Sequence, residues 1–94
     1  MSNINPDQLM QQALRLYRQA RLEDVEKLCT RILSIQPRRV DTLNLAGLTL
    51  LALGKEALAE TLLRQALAID PASLSSVNNL GLVLSTLNRF EEAA

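Results

Sequence analysis

Histidine and tryptophan are both absent from this chain. The lack of histidine removes the commonest general base and the commonest transition-metal ligand. Cysteine occurs once, as Cys29. A single thiol makes no internal disulfide and suits a reducing, cytoplasmic setting. It also leaves a zinc site to be built almost wholly from carboxylates, which zinc does not favour. The three glycines, Gly47, Gly54 and Gly81, stand too far apart for a phosphate-cradling loop. Aromatic residues make up 2% of the chain, as Tyr17 and Phe90, and the net charge is zero. Nucleic acid needs a basic stripe or stacking platforms, and neither is present. No uncharged apolar run reaches the ~18 residues of a membrane span. The opening "MSNINPDQLMQQ" has no basic flank before an apolar core, so it does not read as a secretory leader. These absences leave no catalytic residue, cofactor site or metal site to assign.

What the chain does contain is leucine and alanine. Hydrophobic residues make up 48% of it, while valine and isoleucine are few and scattered, which favours helix over strand. The apolar residues also repeat. "VDTLNLAGLTLLALGKEALA" (40–59) aligns with "LSSVNNLGLVLSTLNRFEEA" (74–93) at an offset of 34 residues, the step from Gly47 to Gly81. The same step carries Asn44 to Asn78, Leu48 to Leu82, Leu50 to Leu84, Leu53 to Leu87, Ala59 to Ala93 and Pro37 to Pro71. Stepping back once more reaches "PDQLMQQALRLYRQARLEDV" (6–25), where Ala13 takes the glycine place and Leu9, Leu14 and Leu16 meet Leu43, Leu48 and Leu50. "LCTRILSIQP" (28–37) aligns with "LLRQALAIDP" (62–71) without a gap.

Periodicity within the unit is helical. Leu43, Ala46, Gly47 and Leu50 fall at i, i+3, i+4, i+7, and Leu58, Ala59, Leu62, Leu63, Ala66, Leu67 and Ile69 make a second broad face. Gly54 reads as a C-terminal stop, and Pro37 and Pro71 end each unit. Helices are expected at 7–20, 23–35, 39–53, 56–69 and 73–87, with a sixth starting near residue 90. Gly47 and Gly81 are both expected at close helix crossings, Gly47 against Ala59, where a larger residue would overpack.

A helix-turn-helix unit of this period resembles the tetratricopeptide repeat. Gly47 and Gly81 match the small residue of its first helix. Ala59 and Ala93 match that of its second, Leu63 and Ala66 the later core places, and Asp70–Pro71 the closing turn. The Trp and Tyr of the family pattern are missing from their usual places. Val25 stands where Ala is expected, and Ile32 stands at the place of Ala66. The resemblance implies an all-α solenoid over residues 1–94: repeat one at 6–39, repeat two at 40–73 and a partial third at 74–94. The final "NRFEEAA" then reads as the first turn of an unfinished second helix, so the chain is expected to be a piece of a longer protein.

The same resemblance implies a concave groove lined by the first helices, holding a partner's peptide or helix. Its candidate residues are Leu14, Tyr17, Arg18, Asn44, Leu48, Leu51, Asn78, Asn79 and Leu82, with Met10, Ala52 and Ser85 beside them. Packing between helices would account for the recurring leucines equally well. An asparagine can pair with a peptide backbone without reading its sequence. Asn79 is similar to a rung of the asparagine ladder in the helical arm of O-linked N-acetylglucosamine transferases, but Leu45 breaks any ladder one repeat earlier. Arg18 alone does not make a carboxylate clamp. Cys29 reads as a buried structural thiol, and Arg38–Arg39 as solvated turn charges.

The function expected is a protein-interaction module without catalysis of its own. The alternatives are the non-catalytic arm of a larger enzyme, such as a glycosyltransferase or sulfotransferase, and a structural self-association element. Residues 1–40 hold seven Lys/Arg against four Asp/Glu, and the remainder three against six. Opposite charge at the two ends favours head-to-tail stacking. An apolar face of Leu80, Val83, Leu84, Leu87 and Phe90 favours a closed homodimer, and burial outweighs screened charge.

Overall fold

The structure, a computed structural model, describes residues 5–92, with side chains described as far as Leu87. Among the described residues there are five helices and no strand: α1 (Pro6–Arg18), α2 (Leu22–Ile35), α3 (Val40–Ala52), α4 (Glu56–Ile69) and α5 (Leu74–Glu92). The architecture is all-α, as expected.

Local chemistry starts and stops these helices. Asn5 caps α1, its side chain accepting the Asp7 N–H at 2.9 Å, with Pro6 in the first turn, where its missing donor costs nothing. Ser73 plays the same part for α5, its Oγ accepting the Ser76 N–H at 3.2 Å. Gly54 closes α3 at φ +80°, so that the N–H of Lys55 reaches the Leu50 carbonyl at 2.8 Å and that of Gly54 reaches Leu51 at 3.0 Å. This paired closure satisfies two orphan carbonyls. The α1–α2 turn repeats it bond for bond: Arg21 donates to Leu16 and Ala20 to Tyr17, each at 3.0 Å. The residue in the left-handed region is there Ala20, at φ 60°.

Consecutive helices pack on each other throughout. In addition α3 touches both α1 and α5, so the odd-numbered helices form one continuous row. α2 and α4 make no comparable contact with each other. The molecule is elongated, 55 × 28 × 18 Å. The core is divided between the two joints. Met10, Ala13, Val25, Cys29, Ile32, Leu45 and Ala46 fill the first; Leu50, Ala59, Leu63, Leu80 and Val83 fill the second.

The two hairpins distribute volume differently at matching places. The nearest neighbour of Gly47 across the crossing is Leu63: a Cβ built on Gly47 would lie 2.7 Å from Leu63 Cγ. One repeat earlier the pair is Ala13 with Cys29, a larger residue opposite a smaller one, and Val25 and Ile32 supply the bulk that Ala59 and Ala66 lack. All six of Ala13, Val25, Cys29, Ile32, Ala59 and Ala66 are buried. Close packing tolerates such trades when total volume is kept.

Three expectations are overturned. α5 does not stop at 87 with a new helix near 90; it runs unbroken to Glu92. A turn is stabilised only by a returning helix that packs, and the few residues beyond Asn88 cannot form one, so propagating α5 costs less than breaking it. Gly81 is not at a close crossing: it is exposed, and a Cβ there would meet nothing within 4 Å. Its repeat mate Gly47 is covered by α4, and among the described residues no helix covers α5 in the same way. Leu58, placed on the inner face of α4, is 56% exposed, because α4 turns its other side to α3 and α5.

Candidate functional site

The odd-numbered helices enclose a cleft of about 310 Å³ on their shared side. Its walls are Met10 and Leu14 from α1, Asp41, Asn44, Leu45 and Leu48 from α3, and Ser75 and Asn79 from α5. Helical spacing explains the set. Met10 and Leu14 are one turn apart, as are Asn44 and Leu48, and Ser75 and Asn79, so each helix presents one i, i+4 pair. Leu14 is 39% exposed and Leu48 is half-buried, which leaves apolar surface open at the cleft mouth.

Neighbouring walls are tied by a repeated contact. Thr42 Oγ1 donates to Met10 Sδ at 3.3 Å, and Ser76 Oγ donates to Asn44 Oδ1 at 2.8 Å. Met10 and Asn44 are one repeat apart, and so are Thr42 and Ser76. Each hydroxyl is fully buried and reaches back to the preceding helix of the row. Asn44 therefore spends its carbonyl oxygen on the fold, since a buried acceptor left unpaired would be costly. Asp41 is similarly engaged, accepting from Arg39 Nε at 2.8 Å.

Of the groove residues read from sequence, Leu14, Asn44, Leu48, Asn79 and Met10 converge on the cleft. The others do not line it. Tyr17 packs half-buried against the first core and Leu51 against the second. Arg18, Ala52, Asn78, Leu82 and Ser85 are exposed elsewhere. Leu45, the break in the asparagine ladder, is 5% exposed and belongs to the first core. Asp41, Ser75 and the Thr42 and Ser76 hydroxyls went unread. The signal for the last two was a small hydroxyl residue recurring at the repeat spacing.

The self-association set is corrected. Leu80 is 8% exposed and Val83 0%, and Leu84 and Leu87 pack against the same core. These residues contact α4 and α3, which lie on the side of α5 opposite its open face. Phe90 lies outside the described side chains. The open face of α5 carries instead Leu74, Val77, Gly81 and Leu82, with Leu74 77% exposed.

Two further readings are decided by geometry. Burial pushes the Cys29 thiol up to about 12, with Asp41 and Glu26 adding to the effect, so it stays protonated and unreactive. Arg39 is no free turn charge. It bridges Asp7 at 2.7 Å, Asp41 at 2.8 Å and the Gln36 side chain at 2.9 Å, and its guanidinium is held above its ordinary value chiefly by the hydrogen bond to Asp41. Arg38 remains exposed.

A row of alternate helices lining one cleft, with the intervening helices behind it, defines a helical-repeat scaffold. Residues 40–73, which are the α3–α4 hairpin with its closing turn, match the family model described as tetratricopeptide repeat. That segment is similar to a tetratricopeptide repeat, a unit that in general builds protein-interaction scaffolds. No curated protein matches the chain. Among the described residues no helix is long and apolar enough to cross a membrane.

Proposed function

We propose that this protein is a protein-interaction module that takes an apolar side chain of a partner peptide or helix into the cleft between α1, α3 and α5, without catalysis of its own. The cleft carries the reading. Its wall is apolar at Met10, Leu14, Leu45 and Leu48, while Asn79 stands half-buried at its α5 side, able to meet a peptide backbone. Protein is favoured over nucleic acid because the one charged wall residue, Asp41, is acidic and already paired with Arg39. The lone buried thiol suits a cytoplasmic setting.

A displayed random-peptide library selected on the immobilised protein tests this. Selected peptides should share one large aliphatic or aromatic anchor. Leu48→Asp and Leu14→Asp should each weaken their binding at least tenfold, with the helical circular dichroism unchanged. Peptides that bind Leu48→Asp as well as the wild type would refute the cleft as the site.

A further inference from the structure

The turn that leads into α3 recurs, bond for bond, before α5. The N–H of Arg39 donates to the Gln36 carbonyl at 3.2 Å, and that of Ser73 to the Asp70 carbonyl at 3.1 Å. The carbonyls of Arg39 and Ser73 then accept from Leu43 at 3.0 Å and from Val77 at 3.1 Å. The side chains on the two turns differ. Arg39 fills the corner between the starts of α1 and α3, reaching Asp7 at 2.7 Å, Asp41 at 2.8 Å and the Gln36 side chain at 2.9 Å. One step of 34 residues later, the places of Asp7, Gln36 and Asp41 are held by Asp41, Asp70 and Ser75, and that of Arg39 by Ser73. The Ser73 hydroxyl is used within its own turn: it accepts the Ser76 N–H at 3.2 Å and lies 2.9 Å from the Ser76 hydroxyl. The second corner therefore keeps the carboxylates and loses the cation. Asp70 has no ion-pair partner among the described residues, and Asp41 shares Arg39 with Asp7, so two carboxylates divide one positive charge.

This corner is one end of the cleft, since Asp41 and Ser75 are both among its walls. A second observation lies one turn further in. Asn44 is 9% exposed, and its oxygen is taken by Ser76. Its amide nitrogen has no partner among the described residues and is not sealed from the cleft, so it offers a donor to a peptide carbonyl. Leu48 follows one turn beyond, beside Leu14. The order along α3 is carboxylate, amide, aliphatic surface. Asp41 and Leu48 are about 10 Å apart at the rise of a helix, which is the length of about three extended residues. We infer that the partner carries an arginine whose guanidinium takes, between α3 and α5, the place that Arg39 takes between α1 and α3, with the apolar anchor about three residues away from it. The inference rests on the cleft being the binding site, and adds the sign of the partner's charge and its spacing from the anchor.

Peptides selected from a displayed random library on the immobilised full chain are the probe. Those whose binding needs Leu48 should be enriched in arginine about three residues from the apolar anchor. Exchanging that arginine for glutamine should weaken binding about fivefold at low salt, and the difference should shrink as salt is raised. Ser73→Arg supplies the missing guanidinium from the chain itself and should abolish the preference for arginine. Ser73→Ala loses the same hydroxyl without adding charge and should keep the preference. Asp70→Asn should reduce it, with the fold retained, because the asparagine oxygen can still accept the Ala72 N–H as Asp70 does. Peptides that need Leu48 but show no preference for arginine would overturn the inference and leave the cleft as the site. An unchanged preference in Ser73→Arg would do the same. Peptides indifferent to Leu48→Asp would overturn both the cleft and the inference.

Discussion

Gly47→Ala and Gly81→Ala are the same change at matching places in two repeats, and they should move stability in opposite directions. Each replaces glycine in a helix interior, which gains ~1 kcal/mol of helix propensity. At Gly81 nothing opposes that gain, since the added methyl meets no atom within 4 Å. At Gly47 the methyl would lie 2.7 Å from Leu63 Cγ, 2.8 Å from Cδ2 and 3.1 Å from Cδ1. Leu63 is 0% exposed and sits within the second core, so it has no free rotamer to retreat into. Overpacking of this kind costs ~1–3 kcal/mol. The propensity gain is common to both variants and cancels when they are compared. Gly81→Ala should therefore exceed Gly47→Ala in stability by about 1–3 kcal/mol, and should itself exceed the wild type by about 1 kcal/mol. For a domain of this size that separation corresponds to roughly 4–8 °C of melting temperature per kcal/mol. Urea and thermal unfolding followed at 222 nm would measure it. If Gly47→Ala proved as stabilising as Gly81→Ala, the α3–α4 crossing would not be as close as the geometry requires.

Ala20→Gly should stabilise by about 1 kcal/mol, because Ala20 holds φ 60° where its repeat mate is Gly54, and a left-handed conformation costs a Cβ-bearing residue about that much; denaturant midpoints would show it. The Cys29 thiol ionises near the ordinary value of 9.0 in the unfolded chain but near about 12 in the fold. The unfolded state therefore loses its proton first as pH rises, and wild-type stability should fall between those values. Cys29→Ala should remove that part of the fall, which parallel unfolding curves at pH 8 and pH 11 would detect. Native Cys29 should also resist alkylation at pH 8 and react readily in denaturant.

Local features were legible in the sequence because local chemistry determines them. The repeat spacing, the stops at Gly54 and before Pro37 and Pro71, and the core places Leu50, Ala59, Leu63 and Ala66 each depend on residues within a few turns. So does the pairing of helices, since a turn as short as Leu53–Lys55 leaves two apolar faces no other place to go. The candidate cleft was legible in part: the resemblance to a repeat family pointed to Met10, Leu14, Asn44, Leu48 and Asn79, but could not show that Tyr17 and Leu51 turn into the cores.

Tertiary structure alone decided what depends on a neighbour. Gly47 and Gly81 are the same residue in the same local sequence, and one is covered by α4 while the other is open. Leu80 and Val83 carry the apolarity expected of an exposed face, yet α3 and α4 bury them, and exposure falls to Leu74, Val77 and Leu82. Asn44 has the chemistry of a peptide-binding side chain, but Ser76, 32 residues away, claims its oxygen. α5 passes through the place where both earlier first helices stop, because a turn is worth its strain only when the helix beyond it has something to pack against. Periodicity is a property of the chain and can be read from it; the covering of a face is a property of two segments at once and appears only when both are in place.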